Sequence, residues 1–541
     1  MDVHAKAQLN RRSLLRSIAV LGGVATVPGL LAACGAPSSG GKAATGGTLD
    51  VLKVALPSSI STLDVSREAG IMNYVVALLC QEALVGVGAD GKLVPALAES
   101  WTSTDAKTFV YKLRQGVTFA DGSPVTAADV VASLEANAKT GSTSAFAYAY
   151  AGVDSIRATG EHEVTIVLKQ TDSSFEWTVS PGTLLVTSAA FLKNGDKIGT
   201  PDTKILGTGP YKVTEFAPDS HVTLERNDSW WGGKAAIAKI RIDFITDDST
   251  RLLAMRQGSA DIALNVPLEQ LSQWEALSGV DVLTTTDRSL VTLAFNTAVA
   301  PFDDVHVRKA VAHAVDRPGI VKSVLGGHAE VATTLPSPAQ WGGLPADQVT
   351  AMYAGIPQYG FDLAKAREEL ALSKAPKGFK AELHYPNSGP QLGKAALTLA
   401  QNLRELGIEL TVKEVTLEAW IAELTERKAG IAFGWYFATT GDPGEFTQQL
   451  LNGANAGKGG TNIASYDVAE VTRALDDAKA TTDVAARGRL IGDALTRSAA
   501  DVPYQPLWWG QAATAFGPKV TVKDYGPYFF IGPWAARVGP K

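Results

Sequence analysis

The stretch GVGADG, Gly86 to Gly91, has the GxGxxG spacing that in dinucleotide-binding folds lets a backbone approach a pyrophosphate. That chemistry needs a strand before the glycines and a helix N-terminus after them, because the helix end supplies free N–H groups and a favourable dipole. Here a segment with helical spacing precedes the glycines, and KLVPALAESW, with Pro95 inside it, follows them. The glycines are therefore expected to close a helix and form a turn, with no phosphate role. The sequence contains no GxSxG elbow, Walker lysine loop, HExxH or CxxC. The seven histidines, His4, His162, His221, His306, His313, His328 and His384, are scattered. His306 and His313 share one predicted helix face, where they are either metal ligands or ordinary solvated and core histidines. The acidic pairs Asp303–Asp304 and Asp247–Asp248 precede predicted helices, where capping accounts for them. No catalytic residue, metal or cofactor is expected.

What remains for chemistry is aromatic. Eleven tryptophans include the doublets Trp230–Trp231 and Trp508–Trp509, and the run Trp435, Tyr436, Phe437. Trp101 and Trp177 read as core. The run at 435–437 ends a predicted strand and leads into ATTGDPGEF, and a Gly- and Pro-rich loop leaving a strand C-terminus is where open α/β sheets bind ligands. Trp435, Tyr436 and Phe437 are therefore candidates to line a cleft, as is Trp508, with core packing as the alternative reading.

The elements that must position these residues alternate between strand and helix. TLDVLKVALP alternates like a strand, and GIMNYVVALLCQEALV carries helical spacing. Phe109, Tyr111 and Leu113 share one strand face, and Thr126 with Asp129 makes a capping box for the following helix. EVTIVLKQ reads as a strand and GPYKVTEFAPDSHVTLERN as a hairpin. The segment from Ala238 to Leu264 reads strand, helix, glycine cap at Gly258, strand. In the second half, Pro318 breaks one helical stretch into two, and residues 379–438 alternate strand, helix, strand, helix, strand, which predicts a second, mostly parallel sheet.

The chain has 541 residues, 45% hydrophobic and 19% charged, enough for a large core divided among two or three domains. Its N-terminus differs from the rest: Arg11, Arg12 and Arg16 precede an uncharged run from Ser17 to Ala33, a secretory signal layout whose glycines and proline disfavour a permanent transmembrane helix. Leu31, Ala32, Ala33 and Cys34 resemble a bacterial lipobox, so Cys34 is expected to be lipidated, with residues 1–33 as signal peptide and 34–47 as a flexible tether. Residues 10–16 also resemble a twin-arginine export signal, with Asn10 where Ser or Thr is usual. Cleavage before Cys34 leaves 45 basic and 54 acidic residues, a formal charge of −9, which disfavours a nucleic-acid partner. Cys80, on an apolar face and without a disulfide partner, reads as a buried hydrophobe.

Five stretches together carry a resemblance: EALVGVGADGKLVPALAESW, YKLRQGVTFADGSPVTAADVVASLE, GTGPYKVTEFAPDSHVTLERNDSWWGG, AFNTAVAPFDDVHVRKAVAHAVDRPGIV and GFDLAKAREELA. In this order and spacing the chain resembles the family 5 extracellular solute-binding proteins of bacterial ABC importers. The resemblance implies an α/β, two-lobed fold of the periplasmic-binding-protein type (type II, cluster C), with a hinge and an extra domain on lobe I. Residues 48–84, 201–293 and 510–541 are assigned to lobe I, 85–200 to the extra domain and 294–509 to lobe II. It also implies a monomer that captures a small solute, most simply a peptide, between its lobes and delivers it to membrane permease subunits, anchored outside the cell membrane through Cys34. An oligosaccharide, opine or metal chelate is the alternative ligand, and a secreted hydrolase the alternative class. Ser58, Ser59, Asn73, Trp435, Tyr436, Phe437, Thr439, Asp442 and Trp508 are the ligand-binding residues so expected. Peptide-binding members commonly place an aspartate in the loop after the 435–437 strand, to pair with a peptide α-amino group. Thr439 stands at that position here, so weak dependence on that group is expected, with Asp442 or Glu445 as possible substitutes.

Overall fold

A computed structural model describes residues 49–541; Cys34 and the expected signal and tether lie outside them. Its largest sheet has nine strands. In spatial order they are Ile431–Phe437, Asp281–Phe295, Tyr504–Phe516, Ile262–Ala263, Val51–Leu56, Lys239–Phe244, His221–Arg226 and Tyr211–Ala217, with Glu330–Val331 pairing on Tyr504–Phe516. Val51–Leu56 runs parallel to both of its neighbours, and the remaining pairs are antiparallel.

Two strands are far longer than the rest. Asp281–Phe295 and Tyr504–Phe516 pair antiparallel from Asp281 opposite Phe516 to Ala294 opposite Tyr504. At one end Val282, Leu283, Ala513 and Phe516 pack with the cores built on residues 52–277 and the C-terminal segment. At the other end Val291, Leu293 and Phe295 enter a second core, while Leu290 and Ala294 point to the opposite face and a third. This alternation is the two-residue period of a strand buried on both sides. The pair thus links two separately cored bodies. Between them the register slips from Thr286 to Leu290, with Arg288 at φ 62°. Gly510 lies opposite: a Cβ there would meet Ser289 Oγ at 2.1 Å and Asp287 Oδ1 at 2.6 Å.

A four-stranded antiparallel sheet, Ala98–Thr102, Thr108–Leu113, Glu163–Leu168 and Val153–Gly160, extends the first body. Phe109, Tyr111 and Leu113 are all buried on one face, as the alternation requires, and Thr126 with Asp129 forms the capping box of the helix Ala127–Ala138. Gly258 ends its helix at φ 69°, and Pro318 lies in the first turn of the helix Arg317–Val324.

Two expectations are corrected. The helix expected up to Val85 ends at Ala77. Residues 78–84 are buried throughout, and their carbonyls are taken by other segments: Leu79 O by Tyr211 N–H, Glu82 O by Val186 N–H and Leu84 O by Ala98 N–H. Gly86–Gly91 accordingly belongs to a hairpin, Val85–Val87 against Leu93–Pro95, with Gly91 at φ 77°, and presents no helix N-terminus. The second parallel sheet is only the pair Lys380–Pro386 and Glu409–Val415. Ile431–Phe437 instead joins the large sheet antiparallel to Asp281–Phe295, where Phe433 packs with Phe295 and Leu293 in the second core.

A cleft at the crossing strands

Where the long strands cross from one body to the other, a cavity of about 460 Å³ opens beside them. The helix Ile71–Ala77 lines one wall with Met72 and Tyr74, the end of Ile431–Phe437 lines the other with Trp435 and Phe437, and the slipped register contributes Arg288. Trp435 and Phe437 share a strand face, with ring centroids 5.6 Å apart. Phe437 is 44% exposed and Ile71, at the cleft's helical wall, 54%. The walls touch: Tyr74 Oη donates to Gly182 O at 2.7 Å, and a Cβ on Gly182 would stand 2.7 Å from Thr439 O. A mostly apolar, aromatic concavity with a few polar groups has the makeup of a small-molecule site.

The structure brings Trp435, Phe437 and Thr439 together around this space and places the other expected residues elsewhere. Tyr436, between the two aromatic rings in sequence, points to the opposite face and packs on the third core near Phe446. Trp508 takes a core position, 4% exposed in the second core, because its strand has neighbours on both edges, Val291 and Val331. Asn73 is buried and its Nδ2 donates to Thr62 O at 2.9 Å, pinning the turn before the helix whose neighbouring residues do line the cleft. Ser58 and Ser59 lie in the loop after Val51–Leu56, away from the cleft lining. His306 Nδ1 lies 2.7 Å from Glu369, and His313 Nδ1–H donates to Gly360 O; among the described residues no group of three or more His, Cys, Asp or Glu could hold a metal.

The loop after the aromatic strand has its own logic. Asp442 is buried and accepts two hydrogen bonds from Arg487, at 2.7 and 2.6 Å, plus one from Gly444 N–H. Glu445, in the first turn of the helix Gly444–Leu451, accepts from the backbone N–H and hydroxyl of both Thr439 and Thr440, at 2.6–2.9 Å. Both carboxylates are thus occupied by hydrogen bonds within the protein.

Sequence reasoning missed the polar centre of the cleft. Asp287 and Arg288 sit at the register slip, and both line the cavity. Burial pushes the Asp287 carboxyl above the usual carboxylate range, although its Oδ1 accepts from Ser289 N–H at 2.8 Å. Burial likewise holds the Arg288 guanidinium below the ordinary arginine range, and its Cζ lies 5.2 Å from the Tyr528 ring centroid. The available signal was a charged pair, Asp-Arg, interrupting the apolar alternation of VLTTTDRSLVTLAF.

Comparison with known proteins agrees with this arrangement. The model of the bacterial extracellular solute-binding proteins, family 5 (middle), matches residues 92–458. This chain belongs to that family. It is 27% identical over 465 residues to the glutathione-binding protein GsiB of Escherichia coli K12, covering 84% of this chain and 87% of the relative. It is also 27% identical over 477 residues to heme-binding protein A of Haemophilus influenzae, covering 83% and 84%. Among solved structures, HbpA2 of Haemophilus parasuis superposes with a TM-score of 0.80 at 23% identity, over 91% of this chain and 100% of that one. The periplasmic binding protein DppA of Helicobacter pylori, in complex with the peptide STSA, does so with a TM-score of 0.74 at 24% identity, over 91% and 98%. The fold is that of these two-lobed, mixed α/β binding proteins, and family and neighbours alike are binding proteins.

Proposed function

We propose that the protein is the solute-capturing subunit of an ABC importer, taking a peptide-sized solute into the cleft beside the crossing strands and presenting the closed form to a membrane permease. The observation that carries this reading is the cleft itself: an aromatic cavity between two separately cored bodies joined by two continuous strands, so that a solute touching both walls favours closure. The lobe and extra-domain boundaries drawn above are part of this proposal. Relatives named for glutathione, itself a peptide, and for heme, and a neighbour holding the peptide STSA, support a solute of that size. Lipidation of Cys34 supplies the anchor, since each buried acyl methylene contributes about 0.8 kcal/mol of membrane affinity.

Mass spectrometry of solute released from purified protein, followed by small-angle scattering and thermal unfolding with that solute added back, tests the reading. The expected result is an unchanged solute that compacts the protein and raises its melting temperature by mass action. Recovery of a chemically converted solute would favour an enzyme. Stabilisation by ATP or NAD at micromolar concentration would restore the phosphate role of Gly86–Gly91. The Cys34→Ala protein is expected in the soluble fraction, and its retention on membranes after a salt wash counts against the anchor.

A further inference from the structure

Arg288 is set up as a binding group rather than a structural one. It lies at the register slip between the two bodies with φ 62°, a left-handed conformation that costs an L-residue about 1–2 kcal/mol and persists where the surroundings impose it. Its carbonyl accepts from Ala438 N–H at 3.2 Å, which ties its backbone to the start of the loop after Trp435 and Phe437. The guanidinium lies over the Tyr528 ring, and the Tyr528 hydroxyl is turned away to donate to Ala339 O at 2.7 Å. A guanidinium held over an aromatic face keeps N–H groups with which it can meet a carboxylate through two parallel hydrogen bonds.

The nearby acids do not fill that role. Asp287 turns back on Ser289 N–H, and Glu445 receives four hydrogen bonds from Thr439 and Thr440. Both act on the Arg288 guanidinium through space, but its side chain makes no ion pair or hydrogen bond among the described residues. A half-buried cation without a partner is unfavourable, and a bound anion removes the deficit. An ammonium at the same place would meet repulsion. We propose that Arg288 is the anion anchor of the cleft: the solute carries a carboxylate that docks on its N–H edge, while the solute's apolar part lies against Trp435 and Phe437. This rests on the cleft being the solute site.

The test compares a free-acid apolar tripeptide, Ala-Phe-Leu, with its C-terminal amide by calorimetry, on the wild-type chain and on Arg288→Gln. Glutamine at this position keeps the same backbone strain and removes the charge together with the guanidinium fork. The acid is expected to bind at least about tenfold more tightly than the amide, as charge-assisted bonds do, and Arg288→Gln to bring the two within about threefold. Equal affinities in the wild type, or a preference for the acid that survives Arg288→Gln, would overturn the anchor. If neither tripeptide binds, the peptide reading fails separately, and solute carried from the cell decides the anchor: an oxyanion-bearing solute that Arg288→Gln fails to retain supports it, and a solute lacking an oxyanion, or retained equally by Arg288→Gln, overturns it.

Discussion

Two aromatic runs in this chain look interchangeable as sequence, WW at 508–509 and WYF at 435–437, and the fold treats them oppositely. The first lies on a strand with neighbours on both edges and cores on both faces. Trp508 enters the second core, and Trp509 the third, where its Nε1–H donates to Leu335 O. The second lies at the end of the sheet order, on a strand whose last residues reach the cleft, so that Trp435, at the rim of the second core, and Phe437 are left beside open space. Cleft-facing character here is a property of where a strand sits in its sheet and which end of it is reached. The residue types are the same.

The largest effect that could break this contrast is on stability. Trp508→Ala is expected to cost about 3–5 kcal/mol of unfolding free energy by denaturant titration, as large-to-small core changes do, with solute affinity of the remaining folded protein little altered. A smaller loss than that of Trp435→Ala would reverse the assignment. Asp442→Ala extends the comparison to the loop. It leaves the largely buried Arg487 without its carboxylate, and about 3–5 kcal/mol of stability is expected to go with it. If the same change abolished binding without affecting stability, Asp442 would be a ligand group after all. Trp435→Ala moves the loss to binding: about 2 kcal/mol or more of solute affinity by calorimetry, as buried aromatic anchors give, with a smaller stability cost than Trp508→Ala. Thr439→Ala should do least, under about 1.5 kcal/mol of affinity, the scale of one neutral hydrogen bond. N-acetylation of a peptide solute that abolished binding, with Trp435→Ala undisturbed, would show a site built from other residues.

Local rules were legible where one element decides them. The capping box at Thr126, the buried face of Phe109, Tyr111 and Leu113, and the glycine stop at Gly258 each follow from a few neighbouring residues. What depended on distant partners was not. The helix after Gly70 stops at Ala77, and segments at residues 98, 186 and 211 claim carbonyls of the stretch that follows. Glu82 binds the indole N–H groups of Trp230 and Trp231, at 3.2 and 2.9 Å, and so fixes an aromatic doublet that sequence could only mark as unusual. In the site, Trp435 and Phe437 were visible as a strand end, whereas Tyr436 needed the pleat and Asp442 needed Arg487, 45 residues away.

The glycines that first suggested a nucleotide acquire a different meaning in the folded chain. Gly91 meets two others from the opposite body: a Cβ on Gly342 would lie 2.9 Å from the Gly91 carbonyl, and one on Gly441 3.0 Å from it. Backbone meets backbone at this point, beside the side chains of Trp177 and Tyr528. An interface ordered by side chains forfeits about 0.5–1.5 kcal/mol of rotamer freedom for each one it immobilises, and the three glycines themselves add none. A single methyl at Gly342 would act as a wedge, giving a protein held ajar whose cleft stays chemically intact.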